Sequence, residues 1–472
     1  MGAAAAGPAP RFDARTRVLL EASIPATLVR LGTPNVLVML AQAAVGLIET
    51  YFVGQLGTDA LAGVTLVFPV LMLMQMMSGG AMGGGISSAI ARALGAGRRA
   101  DADALAAHAL AIGLGFGAAF TLAVLVGGGW LYGAMGGRGP SLDAALAYSH
   151  VIFSAAILIW TFNSLASVIR GTGNMAVPAI VISVGAAGLI PLSPCLIFGL
   201  GPFPRLGVAG GAVAVVAYYL LGTIALALYL RTPRSVVHLS LRALRFRWPL
   251  FRDILKVGLV AALVTVTTNL TIAITTGYVG RFGPAAIAGY GTGARLEYLL
   301  VPLVFGLGGP LVAMVGTNIG AGRRDRALRA AWVGAAIATA LAESIGLAAA
   351  AAPEAWLRLF GTDPAMLDAG ARYLRAVGPF YGLFGLGMAL YFASQGAGRV
   401  LWPLLANLTR LAIAAGGGWL VLHGSGDLSH IFLALSVALT AFGLINAGAV
   451  AGGAWFGPIR WPWARPAYPP PA

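Results

Sequence analysis

Three carboxylates out of fifteen Asp and Glu residues fall inside long apolar runs of this 472-residue chain: Glu49, Glu297 and Glu343. An ionised side chain among apolar groups is costly, so an acid retained there pairs, binds a proton or holds a cation. Those are the properties of an ion-coupling site. Two arginines share the setting, Arg410 and Arg295, the latter two residues before Glu297 in ARLEYLLVP. Two apart on one helix points Arg295 and Glu297 to different faces, so they are not expected to pair. A buried pair between Arg410 and either Glu297 or Glu343 is the structural alternative to a coupling role. Gln42, Tyr51, Asn163, Thr268, Asn269 and Gln395 join Arg295 and Arg410 as candidates for lining a substrate cavity. In lipid the same polar groups also serve as ordinary interhelical glue.

The elements that carry these residues are membrane helices. The chain is 59% hydrophobic and 10% charged, with a mean hydropathy of +0.86, more apolar surface than a soluble fold can hide. Runs of roughly 20 apolar residues, enough for about 30 Å of hydrocarbon, recur near 35–54, 62–90, 104–131, 145–169, 175–199 and 207–230. They continue near 257–280, 288–316, 329–352, 370–394, 400–422 and 430–457. The expected class is therefore an all-α integral membrane protein of twelve spans. The second and eighth runs are overlong and carry Pro69 or Pro302, which predicts kinks. Before the first run, a short interfacial helix is expected around 18–31, with no signal peptide.

The halves repeat. Val53-Gly54, Gly57 and Ala62-Gly63 recur 226 residues later, and the pentapeptide GAGRR at 95–99 recurs 225 residues later at 320–324. One residue has been gained or lost between them. Asp143, Tyr148, Gly171, Gly173 and Pro178 continue the 225 register at Asp368, Tyr373, Gly396, Gly398 and Pro403. Six spans per copy is an even number, so both copies insert alike, as two six-helix bundles related by a pseudo-two-fold along the membrane normal. The expected division is an N-terminal segment 1–33, bundles 34–230 and 257–457, a basic linker 231–256 and a tail 458–472.

Net charge is +15, nearly all arginine, with Lys256 the single lysine. The arginines sit in short loops rather than on one face, which argues against nucleic acid and for topology. With the N-terminus inside, inner segments hold 22 Arg and Lys and outer ones 6, so both termini are expected in the cytoplasm of an inner-membrane protein. The single Cys195 forms no intrachain disulfide. The five histidines are scattered without metal-ligand spacing, Gly79 to Gly85 lacks the Lys-Ser/Thr of a phosphate loop, and no cytoplasmic stretch fits a nucleotide-binding domain. These points weigh against an enzyme and against an ATP-driven pump.

The order and duplication of several loose motifs carry a family resemblance. Pro34 followed by Gly54, ETYFVGQLG at 49–57, RALGAGRR at 92–99, and RGTGN at 170–174 with Pro178 resemble the multidrug and toxic compound extrusion (MATE) family. The resemblance implies a V-shaped cavity between the bundles that alternates between the two sides. It implies a cofactor-free monomer in which a transmembrane proton or sodium gradient drives efflux of bulky small molecules, often cationic and aromatic. It places Glu49 where many members carry an aspartate of the cation site, and Asn163 where many carry Asn. The chain departs from the pattern at LIPLSPCLIFG, where Ser193 and Leu189 replace an Asp and an Asn of some members. It departs again near Thr268 and Phe384, where sodium-using members carry acids. A flippase for a lipid-linked headgroup on the same architecture remains the alternative, kept open by Arg295 and Arg410.

Overall fold

The computed structural model describes residues 12–239, 246–424 and 426–457. The N-terminal stub 1–11, the middle of the expected linker at 240–245 and the tail 458–472 lie outside them. The described residues form helices throughout. The first half comprises α1 (Ala14–Glu21), α2 (Ile24–Gly54), α3 (Thr58–Gln75), α4 (Gly83–Gly95), α5 (Arg99–Ala134), α6 (Pro140–Ser154), α7 (Ala156–Gly171), α8 (Ala176–Phe198) and α9 (Val208–Tyr229). The second comprises α10 (Trp248–Gly280), α11 (Pro284–Ala294), α12 (Glu297–Gly320), α13 (Arg324–Ala351), α14 (Pro353–Leu357), α15 (Pro364–Val377), α16 (Tyr381–Ala397), α17 (Leu401–His423) and α18 (Leu428–Ala451). Among the described residues, ten helical stretches are long and apolar enough to span a bilayer, and α6 with α7, bent by 48°, makes an eleventh. At 1.5 Å per residue, the 31 residues of α2 reach about 46 Å and complete the twelve.

Local sequence explains most ends, and corrects two expectations. The helix expected at 18–31 is split: α1 stops at Glu21, and Ile24 already begins the first span, which runs on through Pro34. Pro25 sits in the first turn, where a missing N–H costs nothing. Pro34 is tolerated because neighbouring helices compensate freed backbone groups in a membrane bundle. The overlong spans do break, but away from the prolines singled out. In the second span Pro69 lies within α3, and the irregularity is a π-helical segment, Met76–Met82, between α3 and α4. In the eighth, α11 ends before Arg295 and α12 starts at Glu297, upstream of Pro302.

The π segment accounts for the slipped repeat register. Between Gly63 and Gly95 the first half holds one residue more than the second half does between Gly289 and Gly320. A π turn absorbs one extra residue without ending a helix, and Met76–Met82 lies inside that interval.

The pseudo-two-fold is written in glycine contacts. In the first half Gly63 of α3 lies against Ala144 and Ala145 of α6; its counterpart Gly289 of α11 lies against Ala369 and Gly370 of α15. Between the halves, a side chain on Gly95 would overlap the Thr317 carbonyl, and one on Gly320 would overlap the Arg92 carbonyl. Residues 92 and 95 correspond to 317 and 320, so this contact is reciprocal, as a two-fold axis between α4 and α12 requires. The GAGRR turns match as well. Gly97 and Gly322 have φ of 73° and 72°, and Arg98 and Arg323 donate backbone N–H to Ala93 O and Asn318 O at 2.9 and 2.8 Å. Both are Schellman ends, which demand a residue in the left-handed region.

The end of the bundle bearing these turns, the basic end, is closed. Arg92 of α4 donates to Asp253 of α10 at 2.8 Å and to the Gly396 carbonyl of α16 at 3.0 Å. Beneath it α1 bridges both halves: Leu19 meets Gly173, while the Leu19 and Leu20 carbonyls accept from Asn318 and Arg323 at 3.1 and 2.9 Å. At the opposite end α3 and α11 pack within their own halves, and the two bundles part.

Candidate functional site

Each bundle holds one polar cluster built on an acid. Glu49 lies on α2 about 8 Å, five residues, below the open end of that helix. Its carboxylate enters a small pocket with Ile48 and Phe52 beside it and Leu189, Ile190 and Ser193 of α8 opposite. Among the described residues its Oε1 is buried without a hydrogen-bond partner, and so is the Ser193 hydroxyl. Space for the carboxylate comes from Gly211 of α9, where a side chain would stand 3.4 Å from Oε1 and 3.8 Å from the Tyr148 ring. Deeper in the same half Gln75 donates to the Tyr219 hydroxyl. Asn163 of α7 is buried and donates to the Ser78 hydroxyl at 2.8 Å, fastening the π segment. Gln42 is exposed on α2, with Tyr218 as its polar neighbour. Tyr51 is 66% exposed and meets only Phe52 edge-on among the aromatic contacts of the described residues.

In the second half Glu297 opens α12 and accepts the Tyr373 hydroxyl at 2.7 Å; Tyr373 and Tyr381 hydroxyls lie 3.3 Å apart. Arg410 of α17 projects between the Phe384 and Phe442 rings, 5.7 and 5.8 Å from their centroids. Glu297 is close enough to feel its charge. Among the described residues, however, no ion pair joins Arg410 to Glu297 or Glu343, so the expected buried pair is not formed. Glu343 instead accepts the Gly382 N–H at 2.7 Å and caps α16 where the tenth span is broken by a 3-10 turn, Gly378–Phe380. Arg295 and Glu297 do not share a helix at all. Arg295 is exposed at the break and lies over the Phe360 ring at 5.4 Å.

The remaining candidates divide between packing and the seam. Asn407 donates to the Thr267 hydroxyl at 2.6 Å and its amide nitrogen lies 3.2 Å from the Thr268 hydroxyl, tying α17 to α10. Asn269 is exposed and its amide returns to Thr265 O one turn back. Gln395 sits at the seam, packed so tightly on Gly84 of α4 that a side chain there would overlap its amide. Both polar atoms of that amide are buried without a hydrogen bond of good geometry among the described residues, with the Tyr391 hydroxyl as a polar neighbour.

A tyrosine stands near the acid in each half, bonded to it only in the second. Tyr148 and Tyr373 are repeat equivalents, and each stands beside a different half's acid. The acids themselves come from non-equivalent helices, since the counterpart of Glu49 is Thr275 and that of Glu297 is Leu71. The tyrosines obey the repeat, and the carboxylates do not.

Twelve spans in two like-oriented bundles, parted at one end and sealed at the other, with polar clusters in both interiors, define a multi-span membrane transporter. A family model described as MatE matches residues 34–195 and again 261–420. The chain is 27% identical to a FAD transporter of Shewanella oneidensis over 84% of its own length and 87% of that protein's. It is 28% identical to a probable multidrug resistance protein NorM of Deinococcus radiodurans, over 89% and 94%. Its fold superposes with a TM-score of 0.81 on an outward-facing multidrug resistance MATE family transporter, at 24% identity, covering 92% of this chain and 97% of that one. The chain belongs to the MatE family, the multidrug and toxic compound extrusion transporters.

Proposed function

We propose that this transporter is a secondary active exporter, exchanging protons for amphipathic or cationic organic compounds across the inner (cytoplasmic) membrane. The basic end, whose described segments carry 17 of the Arg and Lys residues assigned to the inner side, is the cytoplasmic one. The open cleft then faces outward. The observation that carries the coupling reading is the Glu49 carboxylate, with an oxygen that finds no protein partner in a pocket lined mostly by apolar groups. A carboxylate so placed binds a proton readily when water reaches it from outside. Neutralising it relaxes α2 against α8 and favours closure of the cleft. Substrate arriving from the cytoplasm is carried by the same change in reverse, so the two ligands alternate. Proton rather than sodium fits the absence of acids at Thr268, Phe384 and Ser193, which leaves Glu49 without a second carboxylate to hold a metal cation.

The test is dye efflux in inverted vesicles with imposed pH or sodium gradients, using a fluorescent cation and comparing wild type, Glu49→Gln and Glu297→Gln. A pH gradient alone should drive dye movement, and Glu49→Gln should abolish it. Movement driven by sodium only refutes the mechanism. Undiminished transport by Glu49→Gln removes that residue from it.

A further inference from the structure

We propose that Arg410 forms an anion subsite in the second half, which binds the carboxylate or phosphate group of a planar aromatic substrate. This deepens the export reading and rests on it, since it assigns a charge class to part of what the central site accepts.

Arg410 is the tenth residue of the 23-residue α17, about 14 Å from its start and therefore near the middle of a hydrocarbon layer of roughly 30 Å. It is 9% exposed. An arginine at that depth normally has a carboxylate or several carbonyls around it. Here no ion pair or hydrogen bond from its guanidinium is formed among the described residues. The nearby acid, Glu297, is already engaged by Tyr373 at 2.7 Å.

What surrounds the guanidinium leaves its donors available. The Phe384 and Phe442 rings meet it at 5.7 and 5.8 Å, contacts that stabilise a cation through the ring quadrupole without using any N–H. The donors lie in the guanidinium plane, in the fork that matches a carboxylate or phosphate. A buried, oriented cation with free donors and aromatic neighbours suits an acidic group carried on a flat apolar body.

Two xanthene dyes of opposite charge test this: fluorescein, an anion, and rhodamine 6G, a cation. Binding of each to purified full-length protein in phosphatidylcholine nanodiscs is followed by fluorescence anisotropy for wild type, Arg410→Gln and Arg410→Lys. The expected result is that Arg410→Gln weakens fluorescein binding by about tenfold or more while rhodamine 6G binding is not weakened. Arg410→Lys should fall between, because it keeps charge and loses the fork. Equal fluorescein affinity in wild type and Arg410→Gln overturns the proposal. So does parallel loss of both dyes in Arg410→Gln with full retention of both in Arg410→Lys, which marks a packing role for a cation. Adding phosphatidylglycerol separates the two sources of such an anion: if it abolishes fluorescein binding, the subsite belongs to a lipid headgroup and the soluble-substrate assignment is overturned. Failure of rhodamine 6G efflux in vesicles would instead count against the export reading, and the fluorescein arm still decides the subsite.

Discussion

Removing Arg92 should open the basic end. This side chain joins α4 of the first half to α10 and α16 of the second, and its repeat counterpart is Thr317, so nothing on the symmetric side replaces it. The bond to the Gly396 carbonyl is charge-assisted and worth about 1.5 kcal/mol. The Asp253 pair adds only about 0.5 kcal/mol, because that carboxylate is 43% exposed and screened. The sum, about 2 kcal/mol, shifts the balance between sealed and open basic end by roughly thirtyfold. Asp253→Asn leaves the carbonyl bond in place and should shift it only about twofold. The assay is electron–electron distance measurement between spin labels at Ala96 and Ala321, the equivalent positions of the two GAGRR turns, with the single Cys195 replaced by serine. Wild type should give one short distance. Arg92→Gln should add a longer one that is readily resolved, and Asp253→Asn at most a trace of it. An unchanged distribution in Arg92→Gln, or a larger effect from Asp253→Asn, refutes the reasoning, since the carbonyl bond is then not what holds the seam.

The π segment gives a test of the register argument. Deleting Gly80, whose surroundings are open, should let Met76–Met82 revert to an α-helix with both flanks in place, yielding a folded protein that has lost the Asn163 to Ser78 bond. Deleting Gly316 from the regular α12 rotates all that follows by about 100° and should abolish folding; equal yields of the two on size-exclusion chromatography would count against the insertion. Glu343→Ala removes the cap on α16 and should cost about 1 kcal/mol, read as a lower thermal midpoint. An unchanged midpoint would leave the 2.7 Å bond to Gly382 without a structural role.

Some of this was open to the one-dimensional reading because bilayer physics acts locally along the chain. Span number and the duplication follow from apolar run length and a constant offset, and the glycine ends at Gly97 and Gly322 follow from a turn chemistry complete within five residues. Even the extra residue in the first half is visible as a change of offset from 226 to 225, although its π conformation is not. The three interior acids stand out for the same reason, since any charge in an apolar run is conspicuous.

What each acid does depended on neighbours more than sixty residues away in most cases. Glu343 caps α16 where the tenth span breaks beside α13, and Glu297, the first residue of α12 after the break in the eighth span, bonds Tyr373 rather than Arg410. Arg410 was left beside two rings with no ion pair among the described residues, and Glu49 beside a serine where an acid could have stood. Sequence spacing records which side chains share a helix face. Which faces meet is decided by the packing of twelve helices at once, and a hydrogen bond or ion pair exists only where that packing closes the last few ångströms.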